Sequence, residues 1–171
     1  MIMDVIEKKW HTLYLRPRCE KKVAAELADM GYEVYLPLIT VMRQWSDRRK
    51  KVIEPLFKSY LFVRSDERDY YPIRSVFGVV KFVRFEGKVA DVPENQIFAI
   101  KKFVKEYEGE DSLKADANLK EGQMVRITTG GMKGLVGRLV SFSGKKRVLI
   151  HIETVGKFLP VDVARSKVEP I

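Results

Sequence analysis

The spacing of apolar positions switches between strand-like and helix-like periods over the first hundred residues, then settles into short strand-like runs. Trp10 to Arg16 alternates loosely and reads as a central strand. Pro17 closes it, since proline cannot donate to a sheet ladder. From Cys19 to Met30, the residues Val23, Leu27 and Met30 fall at i, i+4 and i+7, one face of a helix. Ala24, Ala25 and Ala28 favour that helix and Gly31 stops it. Tyr32 to Leu36 predicts a short strand ended by Pro37. Val41 to Ile53 predicts a hairpin that turns at Ser46-Asp47.

The stretch Pro55-Leu56-Phe57-Lys58-Ser59-Tyr60-Leu61-Phe62-Val63-Arg64 reads as a turn followed by a strand. Its near-continuous apolar character predicts cover on both faces. Ser65-Asp66 predicts a cap before a short helix containing Tyr70, Tyr71, Ile73 and Val76, ended by Gly78. Val79 to Phe85 is a further strand and Glu86-Gly87-Lys88 a tight turn. Pro93 opens a last helix whose stripe is Ile97, Ile100, Val104 and Tyr107. Strands alternating with helices over residues 1–106 predict an α+β sandwich.

Residues 107–118 have no period, are acidic and polar, and read as a linker. From Leu119 the texture changes. Short β-rich runs at Met124–Ile127, Leu139–Phe142, Arg147–Ile152, Phe158–Val161 and near Lys167–Ile171 are separated by glycines. They predict a small five-stranded β-barrel over 119–171. Gly130, Gly131, Gly134 and Gly137 are expected to serve turns that need positive φ.

Charge supports this division. The net charge is +6 over 1–106, −3 over 107–118 and +6 over 119–171, within a total of +9. Two basic bodies suit polyanionic partners through counterion release, and suit an inert solvated surface equally well. No apolar run approaches the roughly 20 residues of a membrane span, so no membrane role is expected. The first nine residues carry Asp4 and Glu7 and lack the apolar core of a secretory signal. A single cysteine, Cys19, excludes an intrachain disulfide and fits a reducing cytosol.

Enzyme chemistry finds no support. There is no phosphate-binding Gly-x-x-x-x-Gly-Lys-Ser/Thr loop, and His11 and His151 have no partners at metal spacing. No metal and no cofactor are expected. Two features point to binding instead. Phe57, Tyr60 and Phe62 cluster on one turn and strand, as interface anchors or as internal core. Arg43, Arg48, Arg49, Lys50 and Lys51 crowd the hairpin, where planar guanidinium groups suit phosphates. Trp45 lies among them, either in a satellite core or as a platform for a base.

Trp10 to Lys22, the Pro-Leu-Phe-x-x-Tyr-Leu-Phe-Val block at 55–63 and the strand from Gly78 to Phe85 resemble the N-terminal domain of NusG-type transcription elongation factors. Gly122 to Val140 is similar to the KOW motif that follows it in that family. The resemblance covers nearly the whole chain. Leu13-Tyr14-Leu15-Arg16-Pro17-Arg18 and the Phe-Lys-Ser-Tyr turn look more like the operon-specific antitermination paralogs (RfaH- and UpxY-like) than the housekeeping member.

The resemblance implies docking on the clamp helices of the largest RNA polymerase subunit, with Tyr14, Phe57, Tyr60 and Phe62 in the apolar surface. Tyr70 and Tyr71 match the segment that reaches the opposing subunit. Arg16, Arg18, Lys21 and Lys22 match the face that contacts non-template DNA in specialised paralogs. The KOW domain implies a ribosomal protein or the termination factor Rho as partner, with Ile127 and Phe142 as candidates for its face or, more readily, as core. A monomeric cytoplasmic factor that suppresses pausing or termination is the expectation. A ribosome-associated KOW protein that binds RNA is the alternative. Lys58-Ser59 departs from the family's usual Pro-Gly turn.

Overall fold

A computed structural model describes residues 6–107, 122–142 and 145–171. Of the expected linker, 108–118 lies outside the described residues, as does the side chain of Phe142. The chain opens with β1 (Lys9–Leu15), α1 (Glu20–Asp29) and β2 (Glu33–Tyr35). A hairpin of β3 (Leu38–Gln44) and β4 (Arg49–Pro55) follows, then β5 (Tyr60–Ser65), α2 (Tyr70–Arg74) and β6 (Val79–Phe82). Three two-residue strands, β7 (Arg84–Phe85), β8 (Lys88–Val89) and β9 (Asp91–Val92), lead to α3 (Glu94–Lys105). The tail contains β10 (Met124–Ile127), β11 (Val136–Phe142), β12 (Lys145–Ile152), β13 (Lys157–Asp162) and β14 (Val168–Pro170).

The chain divides into two compact units: residues 1–37 with 55–93, and residues 38–54 with 94–171. In the first, the sheet runs β2-β5-β1-β6, and β9 pairs β1 beyond the end of β6. β1 is central, as its apolar character predicts. One sheet face contributes Leu13, Leu15, Leu61, Val63 and Phe82 to a core closed by Val23 and Leu27 of α1 and by Ile73 and Val76. The expected helix stripe therefore holds for Val23 and Leu27, while Met30 is 47% exposed just past the helix end. The cap at Asp66 forms as predicted. Its carboxylate accepts from the Arg68 N–H, and the Asp69 carboxylate accepts from the Asp66 N–H.

The turn before β5 shows how the chain manages without glycine. Ser59 sits at φ 68°, the left-handed region that costs an L-residue about 1–2 kcal/mol. Tyr60 N–H donates to the Phe57 carbonyl at 3.2 Å across this turn. Glu20, buried on the first turn of α1, accepts the Ser59 N–H at 2.9 Å, and the Leu15 N–H donates to the Ser59 carbonyl at 2.8 Å. Helix, central strand and turn are thus locked together through one non-glycine residue.

In the second unit β3 and β4 form a two-stranded ribbon, and the tail forms an antiparallel sheet in the order β13-β12-β11-β10-β14. The five expected tail strands are all present. Among the described residues no pairing joins the two border strands, so the closure of a barrel is not part of the observed sheet. Pro160 lies in one border strand and Pro170 in the other. In α3 the buried positions are Ile97, Ala99, Ile100 and Phe103. Phe103 takes the place that periodicity gave to Val104, because the helix turns its alanine and phenylalanine inward together.

Replacing Glu20 by Ala removes the acceptor of a part-buried N–H, and we expect a loss of about 1–3 kcal/mol in the urea midpoint analysis. Glu20→Gln keeps an acceptor and should lose less. Ser59→Gly should stabilise by roughly 0.5 kcal/mol, because relieving the left-handed strain outweighs glycine's entropy. A destabilised Ser59→Gly protein would show that the serine is not strained.

Candidate functional site

Antiparallel pairing of β1 and β5 sets Tyr14 opposite Tyr60 and Thr12 opposite Phe62, and β2 adds Tyr35 opposite Phe62. These residues share the sheet face turned away from α1 and α2. Tyr14 and Tyr60 are half-buried with ring centroids 5.5 Å apart, and the Lys81 ammonium lies 5.9 Å from the Tyr14 ring. Phe62 is 0% exposed and Phe57 5% exposed. Phe62 stacks on Tyr35 at 6.3 Å and meets Phe57 edge-on at 6.2 Å. Of the four expected anchors, Tyr14 and Tyr60 present surface. Phe57 and Phe62 are enclosed, their rings meeting each other and, for Phe62, the ring of Tyr35. Burial pushes the Tyr35 hydroxyl up to about 12.

Tyr70 and Tyr71 part company. Tyr70 leans onto Phe82 at 4.8 Å and meets the edge of His11 at 5.6 Å. Burial, and then the nearby Glu67 charge, raise its hydroxyl pKa. Tyr71 is 83% exposed. Tyr71 thus offers most of the pair's surface, while Tyr70 is half-buried like Tyr14 and Tyr60.

Arg16, Arg18, Lys21 and Lys22 are all exposed between the end of β1 and the first turns of α1. Arg16 N–H donates to the Gly78 carbonyl at 2.8 Å, which draws this segment against the loop before β6. Phe77, on that loop, is 64% exposed. The Arg16 guanidinium lies 5.2 Å from its ring and the Lys22 ammonium 5.9 Å. Sequence reasoning missed Phe77. The available signal was an aromatic directly before Gly78, a glycine at φ 101° where an added Cβ would meet Val23 and Cys19 at 2.9 and 3.0 Å. That glycine sits where Val23 and Cys19 leave no room for a side chain, with Val76 buried and Phe77 exposed beside it.

On the β3–β4 hairpin, Arg48, Arg49, Lys50 and Lys51 are exposed. Arg43 is engaged with Glu54 at 2.6 Å, so its charge closes the hairpin base rather than extending the tip's field. Trp45 is 49% exposed with the Lys50 ammonium 5.5 Å from its ring, which disposes of the satellite-core alternative.

The four tail glycines divide by cause. Gly130 and Gly134 have φ of 81° and 90°, as turns require. Gly131 and Gly137 are not in that region, which corrects the expectation for both. A Cβ on Gly131 would lie 2.5 Å from the Phe98 ring, and one on Gly137, inside β11, 2.5 Å from the Leu149 carbonyl oxygen. Both are glycine for space.

A family model described as transcription termination factor NusG matches residues 8–101, more than half of the chain. The chain belongs to the NusG family. Similar proteins include the transcription termination/antitermination protein NusG of Streptococcus pyogenes serotype M3, 27% identical over 159 residues, covering 85% of this chain and 87% of that one. The NusG of serotype M1 of the same species matches with the same identity and coverage. Among solved structures, one of Thermotoga maritima NusG that describes a domain interaction aligns with a TM-score of 0.52 and 26% identity, covering 96% of this chain and 98% of that one. The fold is NusG-like, with mixed helix and sheet, and the family is one of non-enzymatic transcription factors.

Tyr35 gives the ring face a pH signature. Its hydroxyl holds its proton more tightly folded than unfolded, where a tyrosine ionises near pH 10. Stability from this group is complete below pH 10 and drains away as pH rises towards about 12. Tyr35→Phe should flatten the alkaline limb of a stability–pH profile between those values. An unchanged limb would remove Tyr35 as its cause.

Proposed function

We propose that this NusG-family protein is a transcription elongation and antitermination factor of the operon-specific kind, which docks on the clamp helices of RNA polymerase and suppresses pausing or termination. The observation that carries this reading is the half-buried Tyr14–Tyr60 pair, backed from within by Phe57 and Phe62. Tyrosines held in place by a rigid layer beneath lose little entropy on binding, which is the property of interface anchors. Tyr71 supplies a second contact, towards the opposing polymerase subunit.

Non-template DNA lies against Arg16, Arg18, Lys21 and Lys22 in this reading. The exposed Phe77 between Arg16 and Lys22 supports it, as a ring on which a displaced base can stack while cations meet phosphates. We assign residues 1–106 to the NusG N-terminal-type domain, 107–118 to a linker and 119–171 to a KOW domain whose five strands close into a barrel. That domain takes a ribosomal protein or Rho as partner. The protein works as a cytoplasmic monomer without cofactor, and its basic surfaces serve the elongation complex rather than ribosomal RNA.

Tyr60→Ala should leave the circular dichroism spectrum intact and weaken polymerase binding by about 2 kcal/mol, some thirtyfold. Wild-type affinity in that variant would count against the ring face as the dock. Affinity capture of the wild-type protein separates the two classes of function. Recovery of polymerase that survives nuclease supports the elongation reading. Recovery of ribosomal RNA alone, lost as salt rises, supports the KOW RNA-binding alternative.

A further inference from the structure

We propose that the β3–β4 hairpin is a separate nucleic-acid contact that holds unpaired bases by stacking them on Trp45, with Arg48, Arg49 and Lys51 steadying the flanking phosphates. It deepens the nucleic-acid part of the function proposed above and does not depend on polymerase docking.

Three observations combine. First, the indole is presented rather than packed. Trp45 is 49% exposed, while the other tryptophan, Trp10, is 3% exposed in the first unit's sheet. Ile39 and Val41 on β3 are 5% and 4% exposed, so that strand is anchored, and Trp45 directly follows its last residue, Gln44. Second, the ring is positioned. Trp45 N–H donates to the Arg48 carbonyl at 2.8 Å across the four-residue turn, and the Gln44 side-chain amide donates to the Trp45 carbonyl at 3.0 Å. The backbone on both sides of the indole is therefore fixed before any ligand arrives, which lowers the ordering cost of binding.

Third, the charge at the tip is available. The hairpin holds five cations against Asp47 and Glu54, and Glu54 is taken by Arg43 at 2.6 Å. Among the described residues no ion pair engages Arg48, Arg49 or Lys51. Lys50 lies 5.5 Å from the indole centroid, which places a phosphate-seeking ammonium beside a π-face. An aromatic platform bordered by cations is the combination that binds single strands with little sequence preference, since every base has a π-face. Duplex DNA hides those faces and leaves only its phosphates to the same cations.

Tryptophan emission tests this directly, because Trp10 is shielded and Trp45 is not. The full-length protein is titrated with oligothymidylate and oligouridylate of about 12 nucleotides, and with a blunt duplex of equal charge. Both single strands should quench emission; a preference for DNA or for RNA identifies which source the hairpin serves. Trp45→Leu should weaken single-strand binding by about tenfold or more and leave duplex binding near wild type. Trp45→Phe, which keeps a ring, should recover part of that loss. Charge reversal at Arg48 and Arg49 should weaken all nucleic acids and reduce the salt slope.

The proposal is overturned if saturating single strand leaves emission unchanged, or if Trp45→Leu binds as the wild type. Binding to anionic vesicles without binding to oligonucleotides would overturn it too. No polymerase is present, so failure here leaves the Tyr60 result untouched, and failure of the polymerase experiment leaves this one standing.

Discussion

Six successive partners join β1 to β5, from Lys9 with Ser65 to Tyr14 with Tyr60, and this register assigns every side chain of the first unit's sheet to a face. Leu13, Leu61 and Val63 go to the helices, while Tyr14, Tyr60 and Phe62 go to the opposite side. A slip by one residue would exchange the two sets, exposing leucines and burying tyrosine hydroxyls against α1. The left-handed Ser59 turn guards against that slip. Its N–H is held by Glu20 and its carbonyl by Leu15, so turn, helix and central strand move together. The ring face is consequently a product of the core, not an addition to it.

Two sets of aromatic side chains in this protein differ in their physics. Phe57, Phe62, Phe82 and Phe103 are buried and gain from apolar burial. Phe77, Trp45 and Tyr14 remain wholly or partly in water, and each has an ammonium or guanidinium within 6 Å of its ring. A cation beside a ring electron cloud is attractive, and the pairing keeps the ring upright without a surrounding core. With a formal charge of +9 the chain has cations enough to do this at several places. The same cations that steady the rings raise the local potential for a polyanion.

Much of this architecture was legible in the sequence. The alternation of strand and helix periods located β1, α1, β2, the hairpin, β5, α2 and α3, and the spacing of short β-rich runs located all five tail strands. The Asp66 cap was readable because its side chain acts on its immediate neighbours. What escaped depends on contacts between distant segments. Val79 to Phe85 reads as one strand, yet it divides into β6 and β7, because the Val83 N–H donates to Thr12 while β7 turns to pair β8. Phe62 is enclosed with the rings of Tyr35 and Phe57 against it, contacts between segments that composition does not reveal. Gly131 and Gly137 resemble turn glycines in sequence, and only the positions of Phe98 and Leu149 show that bulk is what they avoid. Phe77 went unremarked because nothing local says that a phenylalanine beside a glycine will stay outside.

The two prolines of the tail sheet bear on how such molecules behave when crowded together. Pro160 and Pro170 lie in the strands that form its borders. At each of those places the backbone has no hydrogen to give; the Pro160 ring is buried, while the Pro170 ring is exposed. A strand from a neighbouring molecule laid along β14 would meet a gap in its ladder at Pro170. Fibril-like growth by lateral addition is thereby discouraged at that side, leaving the basic surface to repel its own kind while it seeks out negative polymers.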